Sequence, residues 1–136
     1  MEAMEAALAA LARGDAILPL RSILWLPERV GALGLMPAYL ADIATLGVKV
    51  VSVFPGNHGT PLDSHQGAVL VFETARGRLL AIVDAGEVTA IRTAAVSGVA
   101  TRLLAREGAS ALAILGSGVQ ARTHLAAMLE ARPRRG

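Results

Sequence analysis

Cysteine is absent from the 136 residues, which excludes disulfides and thiolate-ligated metals. Aromatic residues make up only 3% of the chain, so its apolar volume comes from Ala, Leu and Val rather than from rings. Charged residues are scarce too, at 18% against about 25% in an average domain. With 54% hydrophobic residues, this composition excludes intrinsic disorder, which needs low hydrophobicity and high net charge. No charge-free apolar run reaches the roughly 18 residues of a membrane-spanning helix. The amino end carries Glu2 and Glu5 instead of the basic segment of a signal peptide, so a cytoplasmic protein is expected. Lysine occurs once, at Lys49. The net charge is +2, from 13 basic and 11 acidic residues. Without Arg132, Arg134 and Arg135, 10 basic residues would face 11 acidic ones. The excess is a short tail, and no aromatic residues interleave with it, so nucleic acid is not an expected partner.

What remains is enough for one compact domain, or one domain with part of another. Residues 1–12 carry Met4, Ala7, Leu8 and Leu11 at helical spacing, with Gly14 placed to stop the helix. Residues 17–26 read as extended, interrupted by Pro19. Pro27 to Gly34 reads as a turn, Leu35 to Leu40 as a short apolar segment, and Asp42 to Gly47 as a turn or short helix. The β-branched run Val48 to Phe54 predicts a strand. Residues 55–61 form a loop dense in turn residues. Residues 67–74 and 78–84 predict a hairpin, and residues 87–106 a long helix. Ala111 to Leu115 predicts a short buried strand, and Val119 to Ala131 a helix. Strands followed by a helix, then a strand–glycine–helix unit, predict an α+β part followed by the opening of a doubly wound domain. The boundary falls near Glu107-Gly108.

Three features carry chemistry. Gly116, Gly118 and Ala121 fit G-x-G-x-x-A between the predicted strand and helix. Either this is an ordinary glycine-rich turn, or it is the dinucleotide fingerprint. In the second case Gly116 allows the tight turn, Gly118 admits a pyrophosphate, and Ala121 lets helix pack on strand. The helix N-terminus then faces the phosphates. The acidic ribose partner, about 20 positions on, would fall where the sequence stops. Lys49 lies mid-strand, sharing a face with Val51 and Val53. It is either an ammonium snorkelling at a strand edge or a semi-buried cation facing an anion or carbonyl. Arg92 falls inside the apolar arc Val88, Ile91, Ala95, Val99 and Leu103, beside a hydroxyl stripe of Thr89, Thr93, Ser97 and Thr101. A guanidinium there either pairs with a carboxylate such as Asp84 or grips a substrate carboxylate bidentately. Arg21, inside an apolar run, is either an exposed arginine or a second grip on a carboxylate. His58, His65 and His124 match no zinc spacing, and His124 is expected to pack on its helix.

Five segments together carry a resemblance: LGLMPAYL (33–40), VKVVSVFPGN (48–57), SHQGAVLVFE (64–73), DAGEVTAIRTAAVSGVATRLLA (84–105) and GSGVQARTHL (116–125). In this order they resemble the ornithine cyclodeaminase/mu-crystallin family over nearly the whole chain. The resemblance implies a substrate-binding and dimerisation domain at 1–106, lacking the family's first strand. It implies the truncated start of an NAD(P)-binding Rossmann domain at 107–136. It implies action at the α-carbon C–N bond of an amino acid or cyclic imino acid, by cyclodeamination (a lyase) or ketimine reduction (an oxidoreductase). Arg21, Lys49 and Arg92 match positions that hold the substrate carboxylate. Gly116, Gly118, Val119 and Gln120 match the dinucleotide turn, and Thr93 a cofactor-proximal position. Lys49, its ammonium disfavoured by burial and two cationic neighbours, would also donate a proton to the substrate.

The family's ribose-binding residue and catalytic aspartate have no counterpart here. The expectation is therefore a fragment without turnover that binds NAD or NADP weakly or not at all. Gly34 stands where ornithine cyclodeaminases carry an acidic residue, which leans toward the ketimine and cyclic-imine reductases and mu-crystallin-like proteins. A non-catalytic ligand-binding or dimerisation module is the alternative, and a functionless remnant a third reading. A homodimer is expected, because two apolar sheet faces exceed what the remaining elements can cover.

Overall fold

The structure is a computed structural model and describes residues 1–132. They divide into two compact units, Ala9–Val88 and Met1–Leu8 together with Thr89 onward. Helix α1 (Glu2–Arg13) ends where expected. The Gly14 and Asp15 N–H groups donate to the Leu11 and Ala10 carbonyls, satisfying two of the acceptors that a helix end leaves open.

The unit Ala9–Val88 is built on one antiparallel sheet. Its strands are β1 (Ala16–Ile17), β2 (Ser22–Trp25), β3 (Ala32–Leu40), β4 (Thr45–Val53), β5 (His65–Glu73) and β6 (Leu79–Asp84). The order is β1-β3-β4-β5-β6, with β2 also on β3. The extended run 17–26 is thus two short strands flanking Pro19, which can give no ladder N–H. β3 starts at Ala32, inside the stretch expected to be a turn. Nine residues of pairing with β4, from Ala32↔Val53 to Leu40↔Thr45, outweigh the local turn preference of its glycines. The expected hairpin forms across residues 74–78.

That hairpin loop is tied by one carboxylate. Glu73 accepts the N–H groups of Ala75 at 2.6 Å, Arg76 at 3.0 Å and Arg78 at 3.0 Å. The Arg78 bond above all, then the Arg76 bond, holds the Glu73 carboxyl below its ordinary value of 4.5. A depressed carboxylate stabilises the fold above its unfolded pKa, and the contribution is lost as pH falls through the folded one. Glu73→Gln is therefore expected to flatten the acid limb of stability below about pH 4.5. Chemical denaturation across pH 3–6, about the unfolded carboxylate value, checks this; an unchanged acid limb would refute it.

The second unit contains most of helix α2 (Ala85–Leu104) and all of helix α3 (Val119–Ala131). α2 is started by Asp84, whose Oδ1 accepts the Glu87 N–H at 2.8 Å, an N-cap bond. Its buried positions are Ala85, Ala90, Ala94, Gly98 and Val99, whereas Ile91 is 65% and Leu103 64% exposed. The expected apolar stripe is therefore not the buried face; small residues are, because they permit close approach. α3 packs on this helix. A Cβ on Gly98 would lie 3.5 Å from Ala127 Cβ, and Thr101 Oγ1 donates to Met128 Sδ at 3.2 Å. Arg132 closes the pair, donating to the Ala105 and Arg106 carbonyls at 2.9 Å each.

The strand expected at Ala111–Leu115 does not form. Those residues pair with no strand among the described residues. A parallel neighbour requires a crossover of a dozen or more residues, and none of the described segments supplies it. Of the strand–glycine–helix unit, only the turn and helix are realised. No helix among the described residues is long and apolar enough to cross a membrane.

Candidate functional site

Register places Lys49 in a cross-strand row, in which Met36 pairs with Lys49, Lys49 with Val69, and Val69 with Val83. Arg21 immediately precedes β2, whose first residue Ser22 pairs with Leu35, the chain neighbour of Met36. Lys49 is half-buried, as its strand without a polar face predicts. Arg21 is exposed at the sheet margin.

The same face carries residues that sequence reasoning missed. Register puts Ile23 and Trp25 of β2, paired with Gly34 and Ala32, on the Lys49 face. Trp25 carries Arg29 stacked over its ring, 4.9 Å from the centroid. Glu28 and Arg29 stand at φ 54° and 56°, a costly backbone for residues other than glycine. The cation–π contact helps hold that turn in place. Only cross-strand register places Trp25 on this face, so no local signal in the sequence could have found it. Next along the face, Gly34 and Gly67 flank Val51. The Met36 Cε folds to 3.5 Å from where a Gly34 Cβ would be.

Arg92 and Thr93 lie next to each other on α2, in the other unit. Arg92 is exposed rather than set in an apolar arc, because the helix buries its small-residue side. Asp84, the carboxylate that could have paired with it, is engaged at the α2 N-terminus. Thr93 Oγ1 is buried without a hydrogen-bond partner, which ordinarily costs about 1–3 kcal/mol.

The glycine turn has the geometry its spacing implies. Gly116 stands at φ +104°, and neither Gly116 nor Gly118 has a heavy atom within 4 Å of its absent Cβ. Gly118 is the N-cap of α3 without any side-chain cap bond. Free N–H groups, a helix dipole end and room for close approach are what an anion needs. These residues fit the pyrophosphate of a dinucleotide, and the orphaned Thr93 hydroxyl is a donor awaiting an acceptor in the same unit. Val119 and Gln120 open the helix. His124 packs against α2, with Nε2 3.0 Å from Ser97 Oγ. No group of three His, Asp or Glu residues able to hold a metal occurs among the described residues.

Comparison with known proteins identifies the family. Residues 1–134 match the ornithine cyclodeaminase/mu-crystallin family. The mouse ketimine reductase mu-crystallin is 44% identical over 124 residues, covering 89% of this chain and 40% of the relative. The Delta(1)-pyrroline-2-carboxylate reductase of Bacillus cereus is 37% identical over 106 residues, covering 78% and 33%. Among solved structures, the Thermococcus litoralis Delta(1)-pyrroline-2-carboxylate reductase, in complex with NADH and L-proline, superposes with a TM-score of 0.88. It is 42% identical, over 96% of this chain and 41% of that one. An archaeal alanine dehydrogenase dimer with bound NAD gives a TM-score of 0.89 at 32% identity, over 96% and 40%. The chain thus spans about a third to two fifths of the length of these relatives. Matched along almost all of its length, the chain belongs to the ornithine cyclodeaminase/mu-crystallin family.

Proposed function

We propose that the chain provides the substrate-binding domain (1–106) and the start of the NAD(P)-binding Rossmann domain (107–136) of a reductase of cyclic imino acids. The half-buried Lys49 on β4, paired with Met36, carries this reading. Lys49 and Arg21 hold the substrate carboxylate, and the Lys49 ammonium donates a proton to the substrate. Gly34 leaves no carboxylate for a second amino group, which favours imine reduction over ornithine cyclodeamination. Relatives named as ketimine and pyrroline-2-carboxylate reductases support the same choice. The N–H groups at Gly118, Val119 and Gln120 receive the pyrophosphate, Gly116 shapes the turn, and Thr93 donates to the cofactor. NADH or NADPH supplies the hydride when bound. The sheet face opposite Lys49 pairs two copies into a homodimer.

The test is binding of pyrrole-2-carboxylate, a planar carboxylate analogue of a cyclic imine, by the 136-residue chain. Removing one charge-assisted contact costs about 1.5–3 kcal/mol, so Arg21→Met and Lys49→Met are each expected to weaken binding about 10- to 150-fold. Chemical-shift titration measures this, and equal affinity in wild type and both variants would sink the carboxylate assignment. NADH is expected to bind this chain more weakly than low micromolar, because the described residues offer a pyrophosphate turn without a ribose carboxylate. Calorimetric titration reading a low-micromolar dissociation constant would contradict that.

A further inference from the structure

Lys49 sits among apolar neighbours that register fixes. Met36 faces it across β3 and Val69 across β5, and Val51 follows it on the same face of β4. A group held beside the Lys49 ammonium therefore meets carbon and sulfur. Gly34 lies two residues before Met36 on the same face of β3, and it has no Cβ to fill its place. The Met36 Cε methyl lies 3.5 Å from where that Cβ would stand, and the Val51 Cγ1 methyl lies 3.5 Å from it too. Residues two apart along a strand are separated by about 6.6 Å. The long, unbranched Met side chain reaches that far along its own strand, whereas a β-branched one is too short and too stiff. Met36 is half-buried, and its three rotatable bonds let it change place at little cost. Val51 is 7% exposed and stiff at χ1. Gly34 thus provides a seat, and Met36 is the neighbour able to leave it.

We propose that Met36 is the specificity-determining residue of the Lys49 site, an apolar stop whose seat over Gly34 sets the width of the ring that the site admits. With its methyl seated, Met36 leans along β3, away from its cross-strand partner Lys49. The ring beside the bound carboxylate then has that row to itself. With the seat taken by another group, the same methyl is pushed back into the row of Lys49. The space there narrows by about one methyl group, which is the difference between a six-membered and a five-membered ring. A hydrophobic pocket discriminates one such carbon by about 10- to 200-fold. Met36 acts by packing against the ring and takes no part in charge or proton transfer. The inference rests on the reductase reading of Lys49, to which it adds the residue that selects among ring acids.

The test measures binding of pyrrole-2-carboxylate and pyridine-2-carboxylate, a five- and a six-membered ring acid, by chemical-shift titration of the intact chain. An alanine at position 34 would meet Met36 in ordinary contact at 3.5 Å, so the seat is filled with Gly34→Val, a residue that strands favour. Gly34→Val is expected to weaken pyridine-2-carboxylate relative to pyrrole-2-carboxylate about 10-fold or more. Adding Met36→Ala removes the displaced methyl and is expected to restore the wild-type ratio. A merely structural effect of the valine would lower both affinities, and a further truncation would not undo it. Met36→Ala alone crowds nothing and is expected to shift the ratio toward the wider ring, which keeps the test decisive should circular dichroism show Gly34→Val to be misfolded. A folded Gly34→Val chain with the wild-type ratio, a double variant that does not recover it, or an unchanged ratio in Met36→Ala would each overturn the proposal. Lys49→Met tells the two readings apart. If it weakens both acids while the ratio ignores positions 34 and 36, the Met36 role alone is refuted. If it weakens neither, the carboxylate site is refuted and the Met36 role with it.

Discussion

Gly67→Ala is expected to cost the sheet about 3 kcal/mol, the upper end of overpacking penalties. β4 and β5 approach each other so closely at this position that an added methyl would stand 2.0 Å from the Val50 carbonyl oxygen and 2.8 Å from Val51 Cα. Both are backbone atoms in the middle of a nine-residue ladder. They cannot rotate away as a flexible side chain would. Relief requires that Gly67↔Val51 and the pairs beside it separate, and those pairs adjoin Lys49↔Val69. The same substitution is therefore expected to weaken pyrrole-2-carboxylate binding along with stability. Gly56→Ala is the control, because nothing lies within 4 Å of its Cβ. Urea unfolding of the three chains measures the effect. Against a typical domain stability of about 5–15 kcal/mol, Gly67→Ala should lower the midpoint markedly while Gly56→Ala leaves it in place. An unchanged midpoint for Gly67→Ala would mean that the two strands have slack there.

How far the sequence reveals this fold depends on whether a signal is local. The three helices and the hairpin are legible because spacing, glycines and turn residues lie within each segment. Lys49 is legible as a half-buried cation because its strand offers no polar face. The row joining it to Met36 and Val69 is not, since cross-strand register depends on partners far away in sequence. β3 was readable only in its second half, because Gly34 looks like a turn residue until β4 pairs with it. Ala111–Leu115 has the composition of a buried strand, but composition cannot supply the neighbour that makes a ladder. Arg92 illustrates a different limit. Its position on the helical wheel was right, but α2 buries its alanines and glycine rather than its largest apolar residues. Hydropathy alone does not rank close approach above area.

The second large effect is expected at the open face of the sheet. Among the described residues the nine buried hydrophobic ones are seven alanines and two valines, so much apolar volume stays outside. On the face opposite Lys49, Leu33 and Leu35 on β3 stand beside Val50 on β4 and Ala68 and Leu70 on β5, by register. Leu24 on β2 and Ile82 on β6 extend the same face and are 60% and 66% exposed. A groove of about 480 Å³ runs over Leu33, Val50, Ala68 and Leu70. Contiguous apolar patches beyond a few hundred Å² mark interfaces. A sheet face is well suited to a two-fold contact, where the same patch serves both copies. Its span of several strands can furnish the roughly 800 Å² per partner of a standard interface. Leu35 and Val50 face each other at its centre, so Leu35→Glu with Val50→Glu would bury like charges four times over in the dimer. The wild-type chain is expected to sediment at twice its 14.0 kDa at micromolar concentration. The double variant should sediment at the single-chain mass and remain folded, because both positions are already partly exposed. A monomeric wild type would refute the interface, and a double variant that stays dimeric would move it to another surface.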